Sequence, residues 1–266
     1  MGIKFRLIVM NFLQYAIWGS WLISLGAYLG GGLDFTGLQI GSFFATMGVA
    51  SLFMPAVMGI IADRWIPAQK LLGICHLVSG GFLIAAASQT AYGPLYSCML
   101  LSVMFYMPTI ALSNSVAYNA LDLARLDTVK HFPPIRVWGT VGFIAAMWFV
   151  DLTHIGGVQI KLTEWQLYVS AVLSFLLAVY SFSLPGCPVD RNVKARSWVD
   201  TLGLRAFTLF KEKRMAIFFV FSMLLGAALQ ITNAFGDSYI QSFGSMPQYA
   251  DSAIVKHSVI LLSLSQ

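Results

Sequence analysis

Val137–Val150 reads VWGTVGFIAAMWFV, 14 residues without a charge, held between Arg136 and Asp151. As a helix this run reaches about 21 Å at roughly 1.5 Å per residue, whereas a bilayer core is about 30 Å thick. If the segment crosses a membrane, either Arg136 or Asp151 enters the apolar layer. A charge there costs at least ~2.5 kcal/mol and is kept for a partner or a task. The stretch therefore points to a polar site inside a membrane with Arg136 on its wall. The alternative is an arginine that snorkels to the interface.

Working outward, the rest of the chain agrees with a membrane location. Hydrophobic residues make up 58% of it and charged ones 10%, against roughly 25% charged in a soluble domain. Charge-free stretches run over Leu7–Leu33, Phe35–Ala62, Leu71–Leu121, Trp165–Val189 and Met215–Gly236. The third holds two spans, parted by the Gly/Pro turn at Gln89–Pro94. With the Arg136 segment this gives about seven spans, and an eighth starts near Ser252. The fold class expected is an all-α polytopic membrane protein.

Net charge is +5, and 14 of the 16 Lys and Arg fall at one set of span ends; only Lys161 and Lys256 fall at the other. The positive-inside rule then puts the N-terminus in the cytoplasm, and charge reports topology rather than nucleic-acid binding. Cys75, Cys98 and Cys187 form no disulfide or metal pattern. His76, His131, His154 and His257 show no paired spacing, so no metal is expected. Nor is there a glycine-rich phosphate loop. No cofactor and no enzymatic activity are expected.

Three units are read: a six-span bundle over 1–184, a basic linker over 185–213, and the start of a second bundle over 214–266. Six-span halves with substrate held between them at mid-membrane are a common transporter plan. In the linker, Ser197–Asp200 reads as a capping box. Trp198, Leu202, Ala206, Leu209 and Phe210 then recur at helical spacing, as in a helix lying on the bilayer surface. The run from Lys256 to Gln266 resembles half a span, and the sequence is expected to be the N-terminal portion of a longer protein.

Polar and aromatic residues form stripes on several spans. Asn11, Gln14, Trp18 and Trp21 share one face of span 1. They line a solute path or, equally, bond and pack neighbouring helices. In span 5, Phe132, Pro133 and Pro134 are read as starting the helix, and Gly139 and Gly142 as admitting a neighbour. Arg136, Thr140 and Phe143 fall on one face there and suit a polar, ring-bearing solute. In span 7, Gln230, Asn233 and Asp237 share a face; paired amides read hydroxyls and base edges. Asp237 lies toward the outer end, where it caps the interface or titrates with the transported proton. Gly59, Asp63 and Arg64 follow span 2 and resemble the loop signature of the major facilitator superfamily. Such a carboxylate and guanidinium pair across helices to latch one transporter state.

Phe12-Leu13-Gln14 with Trp18-Gly19-Ser20-Trp21, the run Phe132–Phe143, and Lys213–Ala227 with Leu229–Asn233 resemble the bacterial nucleoside permeases, nucleoside:proton symporters of that superfamily. The resemblance implies the major facilitator fold, a monomer in the bacterial inner membrane, and nucleoside and proton as cargo. It also implies a site formed by Arg136, Thr140, Phe143, Gln230, Asn233 and Gln266, with Gln14 and Trp18 as further candidates. Ala228 departs from the family, which commonly has a glutamate there, and family members continue for about four more spans. A sugar:proton symporter of the same superfamily, or an inactive fragment, are the competing readings.

Overall fold

The computed structural model describes residues 2–189, 211–246, 249 and 252–264. Gln266, the Ser197–Asp200 capping box and the linker helix expected from Trp198 to Phe210 lie outside the described residues. Among the described residues five helices are long and apolar enough to cross a membrane: Gly37–Arg64, Ala68–Ala87, Tyr92–Leu123, Thr128–Leu152 and Lys213–Ser245. Trp165–Ser181 is a shorter apolar helix between the fifth and seventh spans. The first span is not one helix. Ile3–Gly19 ends in turns, a short helix follows at Leu25–Ala27, and Tyr28–Gly32 closes as a wider π-helical turn.

That break is held from outside. Polar groups freed from a membrane helix must be satisfied by protein, and Ser24 Oγ donates to Gln166 Oε1 at 2.8 Å. Gln166 Nε2 in turn donates to the Lys161 and Thr163 carbonyls, both at 3.0 Å. The start of the sixth span thus fastens the broken end of the first. A capping box does occur, at Thr36 and Gln39, where it starts the second span.

The fifth span begins earlier than the prolines suggested. Asp127 caps it, accepting from the Val129 N–H at 2.9 Å, and the helix runs from Thr128 to Leu152 with Pro133 and Pro134 inside it. Both prolines are exposed. Its 25 residues reach about 37 Å, enough to cross a bilayer with Arg136 about 12 Å from its start. Gly139 and Gly142 have the role their spacing implied. A Cβ at Gly142 would overlap the Phe12 carbonyl, and one at Gly139 would meet the Tyr15 ring. Gly19 does the same in return, against the Phe143 carbonyl. Spans 1 and 5 therefore pack backbone to backbone.

Between the fifth and sixth spans the chain makes a hairpin, β1 (His154–Ile155) against β2 (Val158–Gln159). Gly156 and Gly157 have φ of +61° and +84°, as a two-residue primed turn requires. The seventh span leans on the first six only near this end: its buried residues are Asn233, Ala234 and Asp237. Toward Lys213 its apolar face is exposed.

Candidate functional site

A cavity of about 230 Å³ lies between spans 1 and 5 on one side and span 7 on the other. The fifth span contributes Arg136, Thr140 and Phe143, the first contributes Tyr15, Trp18 and Leu22, and the seventh contributes Gly226, Leu229, Gln230 and Asn233. Drug-sized pockets run to about 300–1,000 Å³, so this space suits a small solute.

The cavity's chemistry is mixed by design of its helices. The Arg136 guanidinium stacks over the Tyr15 ring, 3.8 Å from its centroid. This cation–π contact orients the planar group while keeping its N–H donors available. Trp18 stands edge-on to Phe143, with ring centroids 6.4 Å apart. Trp18 Nε1 and Gln230 Nε2 are buried and, among the described residues, have no hydrogen-bond partner. A buried donor left unpaired costs ~1–3 kcal/mol, so a bound solute that accepts from both recovers that cost. Together the walls offer a cation, a hydroxyl, amide and indole donors, and flat aromatic faces.

Of the residues expected from sequence, Arg136, Thr140, Phe143, Gln230, Asn233 and Trp18 meet at this one cavity. Gln14 does not line it. Its side chain is fully buried in the six-span bundle, donating from Nε2 to Thr109 Oγ1 at 2.7 Å, with Oε1 2.8 Å from His76 Nε2. His76 continues this chain to Ser174 Oγ at 3.2 Å. The stripe on span 1 therefore divides: Asn11 bonds within its own helix to the Leu7 carbonyl, Gln14 with His76 ties four helices together, and Trp18 faces the cavity. Tyr15 was missed, although it stands three residues before Trp18 and so shares its face.

Asp237 lies five residues before the end of the helix Lys213–Ser242, as its outer-end position implied. It is buried, accepting from Ser258 Oγ at one oxygen and from Gln241 Nε2, at 2.9 Å, at the other. At the opposite end, Gly59, Asp63 and Arg64 close the second span. A Cβ at Gly59 would meet nothing within 4 Å. Among the described residues Asp63 and Arg64 form no ion pair, so the expected cross-helix latch is not engaged there.

Membrane-length helices with a seventh span facing the first and fifth across a partly polar cavity define a multi-pass membrane protein of the major facilitator architecture. The chain belongs to the nucleoside H+ symporter family, whose model matches residues 1–266. It is 51% identical to the xanthosine permease of Escherichia coli (strain K12) and 46% identical to nucleoside permease NupG of the same organism. Both matches cover all of this chain and 62% of the relative, so the chain spans about three fifths of their length. A crystal structure of nucleoside transporter NupG has the same fold, with a TM-score of 0.87 at 45% identity. That match covers 100% of this chain and 64% of the NupG chain.

Proposed function

We propose that this chain supplies the first bundle and part of the substrate wall of a proton-driven nucleoside importer of the bacterial inner membrane. One observation carries the reading: Arg136, Thr140 and Phe143 from one bundle and Gln230 and Asn233 from the seventh span line one cavity. Arg136 and the amides bind sugar hydroxyls and base edges, and Trp18, Tyr15 and Phe143 provide faces for the base. The relatives, a xanthosine permease and a nucleoside permease, point to the same cargo.

In this reading the end bearing Lys4, Arg6 and Arg64 is cytoplasmic, following the positive-inside rule. Residues 1–184 act as one rocking unit, 185–213 as its tether, and 214–266 open the second unit; the protein works as a monomer. Gln266 is a further nucleoside-binding candidate carried over from the resemblance, and Asp237 is the candidate proton carrier on this chain. One proton entering down ~100 mV supplies about 2.3 kcal/mol, sufficient for roughly 50-fold accumulation.

Uptake of tritiated uridine and xanthosine by cells expressing the full coding sequence tests this. Expression is expected to raise uptake, a protonophore to collapse it, and unlabelled nucleosides but not sugars to compete. Competition by sugars alone, or uptake indifferent to the protonophore, overturns the assignment.

A further inference from the structure

Lys161 is the largest fully buried side chain of the described residues. It sits in the one-turn helix Ile160–Leu162, directly after β2. Its ammonium has three protein partners. Nζ lies 2.6 Å from Asp151 Oδ1, and it donates to the Lys256 carbonyl at 2.7 Å and to Ser258 Oγ at 3.2 Å. Ser258 Oγ in turn donates a hydrogen bond to Asp237 Oδ1. Asp151 meets His257 Nδ1 at 2.8 Å through its second oxygen. Gln159 Nε2 spans the same seam, donating to the Asp151 carbonyl at 2.8 Å and the Lys256 carbonyl at 3.1 Å.

These partners come from both sides of the solute cavity. Asp151 ends the fifth span, and Gln159 and Lys161 follow it. Asp237 and Gln241 belong to the seventh span, while Lys256, His257 and Ser258 lead into the eighth. Asp151, Lys161, Asp237 and Ser258 are each at most 1% exposed. The Lys161 carbonyl also holds Gln166, which fixes the break in the first span through Ser24. One turn of backbone thus joins spans 1, 5, 6, 7 and 8 at the end where Asn233, Ala234 and Asp237 are buried. At the basic end, Asp63 and Arg64 are unpaired among the described residues and the seventh span stands clear.

We propose that the Lys161 cluster is the latch closing the hairpin end of the solute cavity, and that it parts when the cavity opens to that side. Resting on the alternating-access reading above, the latch adds a named gate to it. A buried lysine paired with an acid on one bundle and donating to a carbonyl and a hydroxyl on the other is satisfied only while the two sides touch. Parting them exposes Lys161, Asp151 and Asp237 to water, which can solvate each of them. The buried state is therefore stable yet reversible, as a gate must be.

Ser238 reports on the gate. It is next to Asp237 on the seventh span, and its hydroxyl lies 3.2 Å from where a Cβ on Gly26 would stand. The full-length protein, with its native cysteines replaced and Ser238→Cys introduced, is labelled with a membrane-impermeant maleimide in right-side-out and inside-out vesicles. Slow labelling is expected from both faces. Lys161→Met is expected to speed labelling at least tenfold, from the hairpin face only, and Lys161→Arg to leave it slow.

If Lys161→Met does not fold, the neutral double variant Asp151→Asn with Lys161→Met provides the same readout without a stranded charge. Labelling within twofold of the parent in every folded variant overturns the latch, as does acceleration from the basic face alone. Labelling needs no nucleoside, so the two claims fail separately. A rise in labelling without nucleoside uptake sinks the cargo; normal uptake without the rise sinks the latch.

Discussion

Arg136 and Lys161 are both basic residues brought to a membrane-spanning bundle, and their surroundings differ in kind. Arg136 is partly buried on the wall of a cavity, stacked on Tyr15 through its face, with donors left over. Lys161 is fully buried, paired with Asp151 and donating to the Lys256 carbonyl and Ser258. A cation with spare hydrogen-bonding capacity is a place for a solute. A cation shut away among protein partners is a fastening, and its value lies in what it joins. The same contrast separates the buried hairpin end of the seventh span from its exposed stretch toward Lys213.

The comparison breaks most visibly at Lys161. Removing one partner of a buried ion pair costs ~3–5 kcal/mol, whereas replacing both is often close to neutral. Lys161→Met in the full-length protein is therefore expected to lower the melting temperature sharply, and Asp151→Asn added to it to restore most of the loss. Thermal unfolding in detergent, followed by intrinsic fluorescence, checks both. A smaller loss is expected at Gly142→Ala, where the new methyl meets the Phe12 backbone. Overpacking of this kind costs ~1–3 kcal/mol, and spans 1 and 5 have to separate slightly, so melting falls and nucleoside affinity falls with it.

The smallest effect sharpens the cavity side. Gln230→Ala removes one neutral donor that has no partner in the described protein. Such a bond is worth about 0.5–1.5 kcal/mol, so a two- to tenfold rise in the dissociation constant is expected, with the melting temperature unchanged or slightly raised. Equilibrium binding of tritiated uridine to the purified variant measures it.

What could be read in the sequence follows the reach of helical periodicity. Arg136, Thr140 and Phe143 lie within eight residues, and Gln230 and Asn233 within four, so spacing alone put each group on one face. Which faces meet came from the resemblance, and the cavity unites them. Gln14 shared a stripe with Trp18 but is turned into the bundle by His76 and Thr109, partners 62 and 95 residues away. No local pattern reports such contacts.

Lys161 was hidden for the same reason. Its loop position counted toward topology, while its partner Asp151 stands ten residues back across a hairpin, and Ser258 is 97 residues on. The hairpin itself had a signal in Gly156-Gly157 between Ile155 and Val158, a two-residue turn flanked by β-branched residues. The break in the first span is fixed by Ser24 and Gln166, which a continuous apolar run conceals. The early start of the fifth span followed from Asp127, an N-cap residue that the two prolines overshadowed.

Binding of tritiated uridine to the purified full-length protein carrying Arg136→Ala, with melting temperature recorded on the same sample, tests the cavity most directly. Charge-assisted bonds of ~1.5–3 kcal/mol imply a loss of affinity of about ten- to 150-fold with the melting temperature within a degree or two of the parent. Undiminished uridine affinity in that folded variant would contradict the account.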